Sequence, residues 1–270
     1  MYIKKPQEIE RIREAGKRMG VILKKLSSMA VPGTTAWELD QEAERMILAS
    51  GGIPAFKGYR GRRSDPPFPS TICASMNEEV VHGIATKEKK LKPGDIFSID
   101  IGMQWPAKSG EGKDGNGFFV DTALTIPIGK VPKKTAALVD ITKQALEIGI
   151  REAKPGNSIA SIGRAIQAYV EPRGYGIIRD LVGHGVGHAV HEDPRVPNYY
   201  DEELEDWILE EGAVIAIEPM ITLGSYEVET GDDGWTISTV DGSLSAHFEH
   251  TIVITKDGGD VVTRRPGEKV

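Results

Sequence analysis

The sequence predicts an α+β fold built from two related halves, at about residues 6–130 and 131–263, which close into one domain over residues 1–270. Three observations predict this class. Apolar residues recur at helical spacing in two separate pairs of segments, strand-rich stretches follow each pair, and two blocks of sequence occur twice in the same order. We therefore expect the second half to repeat the architecture of the first.

The helical segments of the two halves correspond. Residues 31–52 resemble residues 154–175, because each has a Pro-Gly turn, a Thr or Ser start signal and then apolar positions at helical spacing. Thr35 and Glu38 form a capping-box pattern at the first of these helices, and Ser158 starts the second. A longer amphipathic helix precedes each block. Its apolar residues are Ile9, Ile12, Met19, Ile22, Leu23 and Leu26 in one half and Leu138, Ile141, Ala145 and Ile148 in the other.

Strand-rich sequence follows the helices at 71–84 and 95–126, and again at 213–223 and 235–255. The turn and strand LKPGDIFSIDI is matched in the second half by LEEGAVIAIEP, and each copy carries one acid at its far end. Asp100 and Glu218 therefore occupy equivalent places in the two halves.

Composition excludes several classes of protein. The 33 basic and 40 acidic residues give a formal charge of −7, which provides no general attraction to DNA or anionic lipid. Cys73 is the single cysteine, so an internal disulfide and a Cys-based zinc cluster are both excluded. We see no signal peptide and no apolar run of about 18 residues. We therefore expect a cytoplasmic protein that binds neither DNA nor membranes.

Four acids lie next to apolar strands, where an ionised carboxylate is costly unless it is paired or binds a metal. Asp100 ends DIFSID, Asp121 follows GFFV, Glu218 ends AVIAIE, and Glu249 lies in SAHFEHTIVI. Any one of them alone fits an acid that faces solvent or a lysine. Four acids in the same setting favour a metal centre, with all four expected at strand ends.

The segment GHGVGHAVHEDP adds His184, His188 and His191. Gly185 and Gly187 oppose a helix, which excludes a helical zinc-binding pair, and a glycine-rich loop with surface histidines remains an alternative. Imidazole together with carboxylates suits Mn, Fe, Co or Zn, and four carboxylates are balanced in charge by two divalent cations. Two cations that share a water and polarise a carbonyl group are typical of hydrolytic enzymes.

Five ordered motifs and the segment MNEEVVHGI then resemble the type I methionine aminopeptidases of the pita-bread (creatinase) metallopeptidase family. The motifs are DIFSIDIG, FFVDTALTIPIG, VGHGVGHAVHEDP, AIEPMI and SAHFEHTIVIT, and the similarity runs from about residue 6 to residue 263. The resemblance implies a pita-bread fold with a curved antiparallel sheet. It also implies removal of the N-terminal methionine from peptides and nascent chains, with a small second residue preferred.

The resemblance further implies the role of each site residue. It makes Asp121 and Glu249 the bridging ligands of two cations, with His184 and Glu218 completing one site and Asp100 the other. Glu218 is also implied as general base. His191 is implied as hydrogen-bond donor to the scissile carbonyl, and His82 as contact of the scissile nitrogen. His188 and His250 match no ligand role in the family. We therefore expect them either to contact the ligand residues without binding metal or to lie at the surface.

The methionine pocket implied by the resemblance is lined by Phe56, Tyr59, Cys73, His82, Val190 and Trp235. Relatives often carry Cys at position 56 and Phe at position 190, so the large and small sides of the pocket are exchanged here. Phe56 and Trp235 also fit ordinary core aromatics. Cys73 is disfavoured as a nucleophile, because no motif places a base beside it.

Two loops are longer than in short relatives. The connection over about 102–117 is expected to extend a hairpin away from the metals. The loop at about 60–70 contains Arg60, Arg62 and Arg63, which suggest a docking site for the ribosome or a simple solvated loop.

Two other functions compete with this interpretation. A proline-directed aminopeptidase of the same fold usually has a further N-terminal domain, and we expect none because the helical pattern starts near Pro6. A non-catalytic pita-bread binding module typically lacks metal ligands, whereas all five implied ligand positions are occupied here.

Overall fold

The structure is a computed structural model that describes residues 1–61, 65–107 and 117–268. Its helices begin and end close to the predicted positions. They are α1 (Pro6–Met29), α2 (Ala36–Ala49), α3 (Lys133–Glu152) and α4 (Ile159–Val170), with single 3-10 turns at Glu171–Arg173 and Glu202–Leu204. No helix in these ranges is long and apolar enough to cross a membrane.

The strands of the first half are β1 (Ile53–Pro54), β2 (Ile72–Met76), β3 (Glu79–Val81), β4 (Ile96–Trp105) and β5 (Phe118–Pro127). Those of the second half are β6 (Gly176–Ile177), β7 (Gly183–Gly185), β8 (Glu192–Val196), β9 (Val214–Ile217), β10 (Met220–Thr222), β11 (Val228–Thr230), β12 (Ile237–Thr239), β13 (Ser245–His247), β14 (Glu249–Thr255) and β15 (Gly258–Val261). The predicted strand-rich stretches did not include β1, β6, β7, β8, β11 and β15, which have two to five residues each, and several of these strands contain glycine or proline.

The main sheet has the strand order β1-β4-β5-β14-β9-β7-β8, with β2 paired to β4 and β15 paired to β14. All of these neighbours are antiparallel. Two three-stranded sheets, β13-β10-β6 and β11-β12-β3, flank it. Strands of the two halves meet at the centre, where β5 pairs with β14. Side chains from both halves therefore reach one face of one sheet.

The repeated blocks make equivalent contacts. Thr35 forms an isolated bridge with Lys90, and Ser158 forms one with Ile208, just before the two turns that lead into β4 and β9. The Thr35 hydroxyl accepts a hydrogen bond from the Glu38 amide at 3.2 Å, which completes the predicted capping box. Ser158 does not cap its helix, because its hydroxyl donates to a Glu205 carboxylate oxygen. The domain limits and half boundaries stay predictions.

The helices bury their apolar stripes in a core shared by both halves. In α1 the predicted residues Ile12, Met19, Leu23 and Leu26 are fully buried, and α1 packs against β4 and β5. In the second half α3 packs against α4 and the opposite part of the sheet. One continuous cluster of buried apolar residues includes members of all four helices and of the central strands. This core fixes the strands from which the site is built.

Candidate metal centre and substrate cavity

The register of three adjacent strands brings the predicted acids together. On the two sides of β5, Asp100 in β4 and Glu249 in β14 both lie opposite Ala123. Asp121 is two residues from Ala123, and side chains two apart on a strand share a face. Three carboxylates thus converge around a small residue. Glu218 follows β9, whose Ile217 lies opposite His250, so Glu218 comes beside Glu249.

The expectation that these acids sit at strand ends is wrong for two of them. Asp100 and Asp121 lie inside strands of ten residues, because β4 and β5 form a hairpin paired over their whole length. Glu218 and Glu249 do lie at strand ends. The predicted hairpin between the first two acids is present, and its tip at 108–116 lies outside the described residues.

His184 completes the cluster from β7. Its Nε2 lies 3.5 Å from a carboxylate oxygen of Asp121 and 3.5 Å from one of Glu218. Asp121, His184 and Glu249 each offer one ligand atom, and these atoms lie within 4.8 Å of one another. The carbonyl oxygen of Gly185 lies 2.9 Å from His184 Nδ1 and can only accept, so Nδ1 carries the proton. The lone pair of Nε2 is thereby left facing the carboxylates.

The two glycines beside His184 have a steric explanation. A Cβ on Gly183 would lie 2.3 Å from the carbonyl oxygen of Ala216, and one on Gly185 would lie 2.5 Å from that of Asp193. Both obstacles are backbone atoms of adjacent chain segments, which cannot move aside easily. The Gly-His-Gly motif therefore allows β7 to lie close enough for His184 to reach the acids.

The electrostatics of the cluster favour bound cations. Burial, reinforced by neighbouring carboxylates, raises the pKa of Glu218 to about 8, and burial also raises that of Asp100 to about 7. Burial and the nearby acids raise the pKa of Glu249 well above its usual value, and burial raises that of Asp121. Among the described residues, Asp100 Oδ1 is buried without a hydrogen-bond partner. Protons or divalent cations relieve this repulsion, so the donor set fits a metal centre.

A second imidazole at this centre was missed by the sequence analysis. His247 ends β13, is 1% exposed, and places its Nε2 3.6 Å from the second carboxylate oxygen of Glu218. Within the described ranges that nitrogen has no hydrogen-bond partner. The available signal was its spacing from Glu249, because residues two apart in extended chain share a face.

A cavity of about 1060 Å³ opens above the cluster. Its wall contains five of the six predicted pocket residues, together with Phe68, whose ring is edge-on to Trp235 at 5.3 Å. The five are Phe56, Tyr59, Cys73, His82 and Trp235. The prediction for Val190 is wrong on this geometry: the side chain is buried and absent from the cavity wall, which the neighbouring Ala189 and His191 form instead.

His82, one of these five residues, and His191 are two predicted imidazoles in the cavity wall. The Nδ1 of His191 lies 2.9 Å from the Tyr59 hydroxyl, and its ring is edge-on to His184 at 4.5 Å. Desolvation by the wall and the nearby imidazoles lower the pKa of His191. Burial, with a smaller contribution from His247, lowers the pKa of His82 to about 4. Both rings are therefore neutral at pH 7 and can donate one hydrogen bond each.

The structure supports the prediction that Cys73 is not a nucleophile. Its thiol is buried next to Asp100, and burial with the adjacent acids raises its pKa well above the usual value. A thiol held in its protonated form is a poor nucleophile. Cys73 is thus a wall residue of the cavity.

Two histidines have structural partners instead of a place among the acids. His188 lines the cavity, and its Nε2 lies 3.1 Å from a carboxylate oxygen of Glu8. His250 points to the opposite side of β14, where its Nδ1 lies 2.9 Å from the Thr263 hydroxyl. The surface alternative is wrong for His250, which is completely buried.

The basic loop is described in part. Arg60 donates a hydrogen bond to the backbone carbonyl of Asp65. Arg62 and Arg63 lie outside the described residues.

An antiparallel sheet with buried carboxylates and an imidazole at the floor of an open cavity defines a candidate metallohydrolase. The model of metallopeptidase family M24 matches residues 10–256, and the chain belongs to this family. A methionine aminopeptidase of Clostridium acetobutylicum is 43% identical over 97% of this chain and 98% of its own length. Methionine aminopeptidase 1 of Bacillus subtilis is 44% identical over 97% of this chain and 98% of its own length.

Solved structures agree with the predicted fold. The crystal structure of a methionine aminopeptidase from Thermotoga maritima has a TM-score of 0.89 at 40% identity, covering 98% of this chain and 100% of that one. A prolidase from Pyrococcus horikoshii has a TM-score of 0.74 at 24% identity, covering 97% of this chain and 63% of that one, and so shows the fold alone. The pita-bread fold and the metallopeptidase family, both expected from the motifs, are confirmed.

Proposed function

We propose that this protein removes the N-terminal methionine from peptides and nascent chains in a metal-dependent hydrolysis. The observation that carries the proposal is the convergence of four carboxylates, those of Asp121 and Glu249 buried and those of Asp100 and Glu218 partly buried, and of His184 at the floor of the cavity. Family membership and the names of the similar proteins supply the reaction. A metallopeptidase needs such a buried donor set, because ionised carboxylates without cations would repel one another.

The ligands proposed for two divalent cations are those implied by the motifs. Asp121 and Glu249 would bridge them, His184 and Glu218 would complete one site, and Asp100 would complete the other. Support comes from the shared face of β4, β5 and β14 and from the raised pKa values of the four acids. The mixed nitrogen and oxygen donors suit Co, Mn, Fe or Zn.

Divalent cations in such a centre supply Lewis acidity and lower the pKa of water. The residues of the chain would then move protons and stabilise charge. Glu218, which lies in the cavity wall, would take a proton from the attacking water once bound cations keep its carboxylate ionised. His191 would donate a hydrogen bond to the scissile carbonyl oxygen, where negative charge develops. His82 would contact the scissile nitrogen or the backbone beyond it.

The shape of the cavity supports the proposed substrate. Phe56, Phe68 and Trp235 provide apolar and aromatic surface beside the carboxylates, as an unbranched thioether requires. The free α-amine of the peptide would lie near Asp100, which explains removal of one residue at a time. A preference for a small second residue belongs to the same proposal.

Three finer aspects stay proposals. Arg60 and its neighbours would help docking to the ribosome. Arg60 itself also donates a hydrogen bond within its loop, to the carbonyl oxygen of Asp65. The chain would act as a monomer in the cytoplasm.

Peptide cleavage followed by mass spectrometry tests the activity. The peptides Met-Ala-Ser and Ala-Pro-Gly are incubated with chelated protein and with protein reconstituted with Mn²⁺ or Co²⁺. Loss of only the methionine, and only with metal, is the expected result. Cleavage before proline would assign a prolidase-like activity instead, and intact peptides with metal bound would indicate a binding module.

A further inference from the structure

We propose that His247 is an additional nitrogen donor of the metal centre, beside Glu218. This inference rests on the proposed dinuclear function and extends it. None of the roles implied by the family motifs uses this residue. The chain's own geometry assigns it.

The first argument is the position of Glu218 between two imidazoles. One of its carboxylate oxygens lies 3.5 Å from His184 Nε2, and the other lies 3.6 Å from His247 Nε2. Two donors bound tetrahedrally to one cation, with bonds of about 2.1 Å, are about 3.4 Å apart. His247 therefore has the same spacing from Glu218 as the imidazole already proposed as a ligand. Both nitrogens are slightly too far from the oxygens for good hydrogen bonds.

The second argument is the buried and unpartnered state of this nitrogen. His247 Nε2 is enclosed and lacks a hydrogen-bond partner among the described residues, and the same is true of Asp100 Oδ1. A buried polar atom left without a partner is destabilising, so native structures rarely retain one without a reason. A metal centre that included both side chains would give each atom a partner.

The third argument is that the position of His247 is fixed. Its amide donates to the Thr125 hydroxyl at 2.8 Å, and the same hydroxyl donates to its carbonyl oxygen at 3.0 Å. The backbone pairing of His247 with Met220 in β10 adds a second restraint. A fixed backbone limits the positions that the ring can take, which favours binding of a cation.

An added imidazole must also fit the charge of the centre. A neutral imidazole leaves the balance of four carboxylates and two divalent cations unchanged. An added imidazole also favours binding of the cations that prefer nitrogen ligands.

Metal titration of purified chelated protein tests the assignment. Isothermal calorimetry with Co²⁺ alone is carried out on the wild type, on His247→Gln, and on the control His188→Gln, which removes a cavity histidine paired with Glu8. We expect two binding events in the wild type and in the control. In His247→Gln we expect one event to weaken by about tenfold or more, as for loss of groups that support a metal. Equal isotherms in the wild type and His247→Gln would overturn the proposal and leave His247 as a neighbour that orients Glu218.

A second measurement needs no variant. In the wild type loaded with Co²⁺, the paramagnetic ion shifts the N–H signal of each metal-bound imidazole far outside the normal range. Proton NMR records these signals. His184 holds its Nδ1 proton against Gly185, so that signal is protected from exchange. Two shifted, exchangeable signals are expected, and a single one overturns the proposal. Wild-type protein that binds two Co²⁺ ions and removes methionine while showing one signal rejects this inference alone. Failure to bind two ions or to remove methionine rejects the proposed function as well.

Discussion

The hydroxyl of Tyr59 lies 2.9 Å from Nδ1 of His191 and joins the loop after β1 to the segment before β8. Burial raises the pKa of Tyr59, so the hydroxyl remains protonated and can donate to this nitrogen. If the hydroxyl donates, Nε2 of the neutral His191 carries the ring proton, and this is the tautomer in which His191 can donate to a substrate carbonyl.

Replacement of this hydroxyl is expected to affect catalysis more than binding. Tyr59→Phe should lower kcat by roughly fivefold, because a neutral hydrogen bond contributes about 1 kcal/mol. Steady-state kinetics on Met-Ala-Ser check this, with Tyr226→Phe, an exposed tyrosine stacked on Arg179, as control. Unchanged kcat in Tyr59→Phe would show that the tautomer is set by another group.

Removal of the donor itself should have a larger effect. His191→Ala is expected to lose about 2.7–4 kcal/mol of transition-state stabilisation, a hundredfold to thousandfold loss of kcat. His191→Gln keeps an N–H donor and should recover part of the rate. The two variants are compared by kcat and KM at equal metal content. A loss confined to KM would assign His191 to substrate binding instead.

The proposed general base has a conservative test. Glu218→Gln keeps the shape and one carbonyl oxygen but cannot accept a proton, so turnover should fall by about 10²–10⁴ while the fold is retained. Circular dichroism and metal analysis accompany the rate measurement. Wild-type turnover in this variant would falsify the assignment.

The chelated protein should become less stable as the pH rises from about 7 to about 8.5. The pKa values of Asp100 and Glu218 in the folded state, about 7 and about 8, exceed those of the unfolded chain. The folded state therefore binds more protons in this range, and the free energy of unfolding falls with pH. Histidines with lowered pKa values, such as His82, change the free energy of unfolding only below about pH 6.5. They therefore do not offset the loss of stability above pH 7.

Thermal denaturation with and without metal measures this effect. The fall in Tm between the two pH values should be clear for chelated protein, smaller for chelated Glu218→Gln, and smallest for metal-loaded wild type, because bound cations replace the protons. Parallel curves for chelated and loaded protein would contradict the prediction.

The close approach of β7 can be tested at Gly183. Gly183→Ala places a methyl group against the carbonyl oxygen of Ala216, so we expect a loss of about 1–3 kcal/mol in stability and weaker metal binding through displacement of His184. Gly231→Ala is the control, since its Cβ would meet its nearest neighbour at 3.4 Å. Chemical denaturation and Co²⁺ titration are the measurements. Equal stability and affinity in the two variants would show that β7 can move.

The helices and the acids that converge could be predicted from the sequence alone, and the division into two halves stays a prediction. The periodicity of α1, the capping box of Thr35 and Glu38 and the ordered motifs are local patterns, and local patterns can be read along one chain. Because the acids recur in equivalent places, their shared site was predictable before any strand pairing was known.

Tertiary structure alone decided which neighbours share a face across strands. Asp100 and Glu249 meet because both lie opposite Ala123, and His247 joins them because β13 ends beside Glu218. Val190 is absent from the cavity wall and Phe68 is part of it, because the path of each loop places them there. A sequence fixes alternation along a strand, but register and loop path arise from packing between distant segments, which no local pattern records.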